Sequence, residues 1–335
     1  MMRSFVNVPD LLAAGHNGSP SVPVHLKHAV VAIGNFDGVH RGHQAVLQTA
    51  CNLAASGDEG AFAAAMTFEP HPRTIFNPQA PVFRLTPLPV KERLMQALGL
   101  GGLFVVPFSK DFSAMPASAF VDDILVDRLD VAHVVIGYDF HFGKGREGTP
   151  EFLMASGKAH GFGVTVVPAQ RDATGAVVYS SSETRRLLAD GEIAKANTIL
   201  GYRYSVTGEI IHGEKRGRDL GYPTANMALQ PQSELRHGIY AVRMRIDGAL
   251  HDGVASFGRR PTFDNGAPLL ETFVFDYSGD LYGKTVDVVF EKFLRGEEKF
   301  DSIEALIAQM DRDSANARKA LAESAPLTAI DEALR

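Results

Sequence analysis

The sequence predicts two modules of different class. An α/β module on a parallel sheet occupies residues 1–186, and an antiparallel β-barrel with a terminal helix occupies 187–335. Two observations predict this. Through the first half, short apolar runs alternate with helical patterns, the grammar of a parallel sheet covered on both faces. After about residue 186, strand-like runs follow one another through short turns, the grammar of an antiparallel barrel.

In the first half, Val30–Ile33, Phe62–Thr67, Leu103–Val106, Val134–Ile136 and Val164–Val167 read as buried strands. Phe120, Val121, Ile124, Leu125 and Leu129 recur at helical spacing. In the second half Leu187–Leu200 reads as one helix, with Gly201 as its C-terminal cap. Strands are expected at Tyr204–Ile211, Ile239–Ile246, Leu250–Phe257, Glu271–Tyr277 and Thr285–Phe293, with Asp247-Gly248 as a tight hairpin turn. A final helix spans about Ser302–Ala322, and the tail after Ser324 is too short to interpret.

Length and composition agree with two domains. A chain of 335 residues is long for one, and 45% hydrophobic content is enough for sizeable cores. A net charge of −6, from 33 basic and 39 acidic residues, argues against a protein held to nucleic acid by bulk charge. No apolar run approaches the ~20 residues of a membrane span, and Met1–Asp10 has no apolar signal core. Cys51 is the only cysteine, so no intrachain disulfide forms and a reducing, cytoplasmic setting is expected, with small-molecule substrates and neither nucleic-acid nor membrane partners. Oligomeric state is not readable.

The densest chemical signal is Gly34-Asn35-Phe36-Asp37-Gly38-Val39-His40-Arg41-Gly42-His43-Gln44. It follows a buried strand and opens a helix, the order of elements that makes an anion site from unpaired backbone N–H groups and the helix dipole. Gly34, Asn35, Phe36, Asp37 and Gly42 are the candidate nucleotide-binding residues, and His40 and His43 bring two imidazoles beside a phosphate. The His-x-Gly-His pair resembles the signature of the nucleotidyltransferase superfamily, whose sheet is Rossmann-like. Ligands of such sheets sit at the carboxyl ends of strands. Gly137-Tyr138-Asp139-Phe140-His141-Phe142-Gly143 follows a second strand end, and Asp37 and Asp139 either bind substrate or cap turns there. The loop after it, Gly143–Gly148, reads as a cover over a ligand or as a solvated turn.

The second signal is Gly213-Glu214-Lys215-Arg216-Gly217-Arg218-Asp219-Leu220-Gly221-Tyr222-Pro223-Thr224-Ala225-Asn226. It begins as a glycine-rich basic loop suited to ATP phosphates, with Gly213, Lys215, Arg216, Gly217, Arg218, Gly221 and Pro223 as candidate contacts. It ends with Thr224 and Asn226, whose oxygens suit a hard cation such as Mg²⁺. Glu271 begins an otherwise apolar strand, so it sits either at a solvated strand end or facing a site, where it could take a proton from an attacking hydroxyl.

Together these strings resemble the bifunctional prokaryotic riboflavin kinase/FAD synthetases over about Val30–Leu321. Further matching segments are Thr67-Phe68-Glu69-Pro70-His71-Pro72, Leu85-Thr86 with Lys91, Arg260-Pro261-Thr262-Phe263 and Asp280-Leu281-Tyr282-Gly283. The resemblance implies that the C-terminal module phosphorylates riboflavin to FMN with ATP. Thr224 and Asn226 match the family's metal and phosphate positions, and Glu271 its catalytic base. It implies that the N-terminal module, an FMN adenylyltransferase, joins AMP from ATP to FMN and gives FAD and pyrophosphate. His40 and His43 would stabilise charge at the attacked phosphate.

One segment departs from the pattern. The family's Ser-Ser-Thr-Arg-Ile-Arg reads Ser180-Ser181-Ser182-Glu183-Thr184-Arg185 here. Ser181 and Ser182 remain candidate nucleotide contacts, and Arg185 is retained as a candidate holder of pyrophosphate. Glu183 reverses a charge, although Ser180 with Glu183 also spells a helix capping box. Three alternatives accompany the bifunctional reading: a riboflavin kinase with weakened or lost adenylyl transfer, which rests on Glu183, a non-catalytic flavin-binding regulator, and a nucleotidyltransferase acting on another phosphate acceptor.

Overall fold

The computed structural model describes residues 5–13, 22–57, 62–213, 221–259 and 268–334. Lys215, Arg216, Gly217 and Arg218, and the Arg260–Phe263 segment, lie outside them. The chain divides into two compact units, Met1–Ser180 and Ser181–Arg335.

The first unit holds a six-stranded parallel sheet in the order β1-β4-β3-β2-β5-β6. Its strands are β1 (Val6–Val8), β2 (Val30–Ile33), β3 (Ala63–Glu69), β4 (Gly102–Pro107), β5 (His133–Gly137) and β6 (Gly163–Val167). The apolar runs mark the central strands because both faces are covered: Val31, Ala64 and Val134 are fully buried. Helix α1 (Arg41–Ser56) lies against β2, β3 and β5. The sheet grows one way from β2 through β3 and β4, and the other way through β5 and β6. β2 and β5 therefore flank the switch point, where ligands of open parallel sheets bind.

Other helices are α2 (Pro72–Phe76), α3 (Leu88–Ala97), α4 (Lys110–Ser113), α5 (Ala117–Ala119) and α6 (Pro150–His160). The helical spacing around Phe120 is realised as α5 running into a widened π-helical segment, Phe120–Arg128, with Phe120, Val121, Ile124 and Leu125 buried. The sequence reading missed β1, a three-residue edge strand parallel to β4.

The second unit begins with α7 (Ser181–Ala189) and α8 (Ile193–Leu200). The single helix expected over Leu187–Leu200 is thus two. The chain turns at Gly191, whose φ of 77° is unfavourable for a residue with a side chain. Gly201 caps α8 in the left-handed conformation, as expected. A closed barrel follows in the order β10-β11-β8-β7-β12-β9. It comprises β7 (Ser205–Ile211), β8 (Ala225–Ala228), β9 (Gly238–Ile246), β10 (Ala249–Arg259), β11 (Pro268–Val274) and β12 (Thr285–Arg295), with every neighbouring pair antiparallel. Asp247 and Gly248, with φ of 49° and 89°, make the β9–β10 hairpin turn.

Inward residues such as Met227, Tyr240, Phe257, Leu270 and Phe290 fill the barrel. Helix α9 (Ile303–Ala322) packs Ala317 and Leu321 against Ala241 and Phe275 on the outer wall. The tail is ordered too. α10 (Ala329–Ala333) presents Asp331, which accepts from the Arg203 and Leu327 amides and pairs with the Arg203 guanidinium. Arg203 and Arg243 each reach Glu291 at 2.6 Å, so buried ion pairs close this side of the barrel.

Candidate active sites

The loop between β2 and α1 is shaped by its own backbone. Phe36, Gly38 and Val39 have φ of 48°, 86° and 34°, a run of left-handed conformations that needs support from the surroundings. Asp37 supplies part of it. Its buried Oδ1 accepts from the Leu85 and Thr86 amides at 3.0 Å each, and Gly38 N–H donates to Thr86 Oγ1 at 2.8 Å. Of the two roles read for Asp37, the structure shows the turn-holding one. Phe36 is 1% exposed, with its ring edge-on to His43 at 5.3 Å. It shapes the loop from inside. Gly34 donates to the Met66 carbonyl, and Asn35 lies exposed at the surface of the loop.

His40 is the N-cap of α1, its Nδ1 accepting from the His43 N–H at 3.3 Å. An accepting Nδ1 leaves the ring proton of a neutral imidazole on Nε2. The two imidazoles stack, with centroids 3.7 Å apart and planes 21° from parallel. Gly42 permits this: a Cβ there would lie 3.0 Å from His40 Nδ1 and 3.1 Å from the Tyr179 carbonyl. Burial, then the neighbouring His40 and Lys91, hold the His43 pKa well below the usual imidazole value, so this ring is neutral near pH 7. Its Nδ1 is buried without a hydrogen-bond partner among the described residues. A stacked imidazole pair at a helix N-terminus can donate to a phosphate without itself carrying the charge.

Beneath this loop lie four charged groups that the sequence reading did not join. Arg84 grips Glu69 through two hydrogen bonds, 2.6 and 2.8 Å, and stands 3.9 Å from Asp37. Lys91 reaches Glu69 at 3.1 Å. Burial pushes the Glu69 pKa up, but Arg84 and Lys91 outweigh it and keep the carboxylate ionised.

At the end of β5, Asp139 is exposed, and its carbonyl lies 2.9 Å from His141 Nδ1. The Gly143–Gly148 loop closes through Phe142, which exchanges backbone hydrogen bonds with Gly148, while Glu147 accepts from the Ala117 amide. Ser181, Ser182 and Arg185 all lie on α7, Ser181 and Ser182 in its first turn and Arg185 buried. The carboxylate of Glu183 accepts from Arg186 at 2.6 and 2.9 Å, so the reversed charge is paired on its own helix.

In the second unit the register assembles the site. Asn226 on β8 lies opposite Glu271 on β11, and Glu271 lies opposite Ser256 on β10. Directly paired residues share a face, and the alternate residues Met227, Leu270 and Phe257 point inward. Asn226, Glu271 and Ser256 therefore form one row on the outer wall. The sequence reading placed Glu271 at the start of a strand running to Tyr277; β11 is Pro268–Val274, which puts Glu271 in its middle. Ser256 was not anticipated, because its proximity to Glu271 exists only in the register.

Asn226 is 4% exposed, its Nδ2 donates to the Thr224 carbonyl at 3.2 Å, and its Oδ1 has no partner among the described residues. Gly213 closes on it: a Cβ would fall 2.5 Å from Nδ2. Gly221, with φ of 84°, and Pro223 are exposed in the turn before Thr224. Tyr222 between them donates to Asp311 of α9 and packs edge-on to Phe273 at 5.0 Å. Burial and that carboxylate push its phenol up to about 12.

Residues 22–182 match the family described as FAD synthetase, and residues 200–321 match the riboflavin kinase family. A bifunctional riboflavin kinase/FMN adenylyltransferase of Listeria monocytogenes is 41% identical over 294 residues, 86% of this chain and 91% of the relative. Its counterpart in Escherichia coli K12 is 39% identical over 292 residues, 87% of this chain and 92% of the relative. A crystal structure named as a macrolide-efflux protein from Streptococcus pneumoniae superposes with a TM-score of 0.79 at 28% identity, over 94% of this chain and 98% of that one. Among the described residues no helix is long and apolar enough to cross a membrane. With two family matches in series and relatives of this identity over most of its length, the chain belongs to the bifunctional riboflavin kinase/FMN adenylyltransferase family.

Proposed function

We propose that the two reactions of this enzyme run at two separate sites, adenylyl transfer at the His40–His43 loop and phosphoryl transfer at the Asn226–Glu271 row. The protein phosphorylates riboflavin to FMN with ATP and adenylylates FMN to FAD, releasing pyrophosphate. One observation supports the division: among the buried polar atoms without a partner among the described residues, His43 Nδ1 lies at the candidate site of one unit and Asn226 Oδ1 at that of the other.

At the first site a phosphate oxygen of FMN attacks the α-phosphorus of ATP, and pyrophosphate leaves. His40 and His43 donate to the charge that grows on the α-phosphate, and the α1 N-terminus adds its dipole. Of the remaining candidates of the first unit, Asp139 at the second strand end is assigned to the substrates. At the second site the riboflavin 5′-hydroxyl attacks the γ-phosphorus. Glu271 takes the hydroxyl proton, and ADP leaves. Alignment supplies much of the rate in both cases.

The Thr224–Asn226 corner fits Mg²⁺. An amide oxygen buried without a partner among the described residues suits a hard cation. Bound there by Asn226 Oδ1, the Thr224 hydroxyl and phosphate oxygens, the ion would neutralise phosphate charge. Gly213, Gly221 and Pro223, with Lys215, Arg216, Gly217 and Arg218, are assigned to the ATP phosphates. The single cysteine supports a cytoplasmic enzyme, and the net charge of −6 supports small-molecule substrates without a nucleic-acid partner.

The test is a time course of the purified protein with riboflavin, ATP and Mg²⁺, the flavins separated by chromatography. FMN should appear first and FAD follow. FMN that accumulates without FAD would remove the first assignment, and absence of both from a folded protein would remove the pair.

A further inference from the structure

We propose that Lys91 is a positioning residue for adenylyl transfer: its buried ammonium clamps the carbonyl of Asn35 and so fixes the loop that carries the two histidines. The inference rests on the assignment of His40 and His43 to that reaction.

Lys91 is 1% exposed in α3. A lysine at such a position retains its charge only if every proton finds an acceptor. All three do. Nζ donates to the Asn35 carbonyl at 2.9 Å, to Thr67 Oγ1 at 2.9 Å and to Glu69 Oε1 at 3.1 Å. Thr67 Oγ1 in turn donates to the same Asn35 carbonyl at 3.1 Å, so two donors from β3 and α3 converge on it. Asn35 is the residue before the segment Phe36–Val39, in which Phe36, Gly38 and Val39 are left-handed, and the middle of that segment is tied through Asp37 to Leu85 and through Gly38 to Thr86. The strained loop is thus pinned at its start and in its middle, and His40, the N-cap of α1, follows Val39 directly.

Pairing of the Glu69 charge does not by itself require the lysine, because Arg84 already holds that carboxylate through two hydrogen bonds. What an apolar residue could not do is hold a carbonyl. Lys91 is also one of the two groups, with His40, whose charge disfavours protonation of His43. Glu69, Arg84 and Asp37 stand behind it and together carry one net negative charge, which balances the ammonium.

The test uses the full-length enzyme and measures both reactions, with riboflavin phosphorylation as the internal control. Lys91→Met should lower kcat for FAD formation from supplied FMN by about 100-fold, the cost of a ~1 Å misplacement. KM for FMN and ATP should change much less, and riboflavin phosphorylation should be unchanged. The double variant Lys91→Met/Glu69→Gln keeps the cluster balanced in charge, Arg84 against Asp37. It should not regain kcat. A single variant with wild-type kcat would overturn the proposal. So would a double variant that recovers kcat, because Lys91 would then serve only as counter-ion to Glu69. Should the single variant not fold, the double variant decides on the same terms. His43→Ala is assayed in parallel: if it keeps full activity, the assignment of the histidines has failed rather than that of Lys91.

Discussion

Gly213 offers the sharpest test of the kinase geometry, because the perturbation is one methyl group. A Cβ built there lies 2.5 Å from Asn226 Nδ2, 2.8 Å from Cγ and 2.9 Å from Oδ1, where ordinary contact begins at 3.4 Å. The amide must therefore retreat by about 1 Å. It cannot swing aside freely, since Asn226 is 4% exposed and its Nδ2 is bonded to the Thr224 carbonyl. A ~1 Å shift of a positioning group costs about 100-fold in rate, roughly 2.7 kcal/mol of barrier. Gly213→Ala should thus lower the initial rate of FMN formation about 100-fold, while FAD formation from supplied FMN stays at the wild-type rate. Thermal unfolding of the variant shows whether the barrel is intact. A folded Gly213→Ala enzyme whose kinase rate stays within about threefold of wild type, less than 1 kcal/mol of barrier, would refute the role given to Asn226.

Three further outcomes follow from the geometry. Asp37→Ala leaves the Leu85 and Thr86 amides without their acceptor, and at about 1–3 kcal/mol for each buried group it should lower the midpoint of thermal unfolding by several degrees. The depressed His43 pKa sets a sign: below about pH 6.5 the unfolded chain binds a proton that the folded chain refuses, so this residue's contribution makes stability fall as pH drops from 6.5 toward the folded pKa. Unfolding midpoints measured from pH 7.5 to 5 should show that slope, and His43→Gln should flatten it. Glu183 is paired with Arg186 in a partly exposed setting, worth under about 1 kcal/mol, so Glu183→Ala should change FAD formation less than about fivefold; a large gain would restore the idea that its charge weakens the site.

The parts of the fold legible in the sequence were those whose signal is local. The central strands of the first unit are mostly apolar because both faces are covered, and the Asp247-Gly248 turn has a backbone requirement that names its residues. β1 is too short to carry a pattern, and β8 follows Pro223 and holds the polar Asn226, so neither reads as a strand. The α7–α8 break rests on Gly191 alone, inside an otherwise continuous apolar spacing. The site divides in the same way. His40 and His43 are three residues apart and were legible. Asp37 meets Leu85 and Thr86, and Lys91 meets Asn35, across roughly fifty residues, so their work is set by tertiary placement. Ser256 joins Asn226 and Glu271 only through the pairing of three strands.

One chemistry per unit is the central claim, and a crossed assay of two variants tests it most directly. His43→Ala and Glu271→Ala are each given riboflavin with ATP and Mg²⁺, then FMN with ATP and Mg²⁺. The account predicts that His43→Ala makes FMN and no FAD, and that Glu271→Ala makes FAD from supplied FMN and no FMN from riboflavin. Loss of both reactions in either folded variant would contradict it.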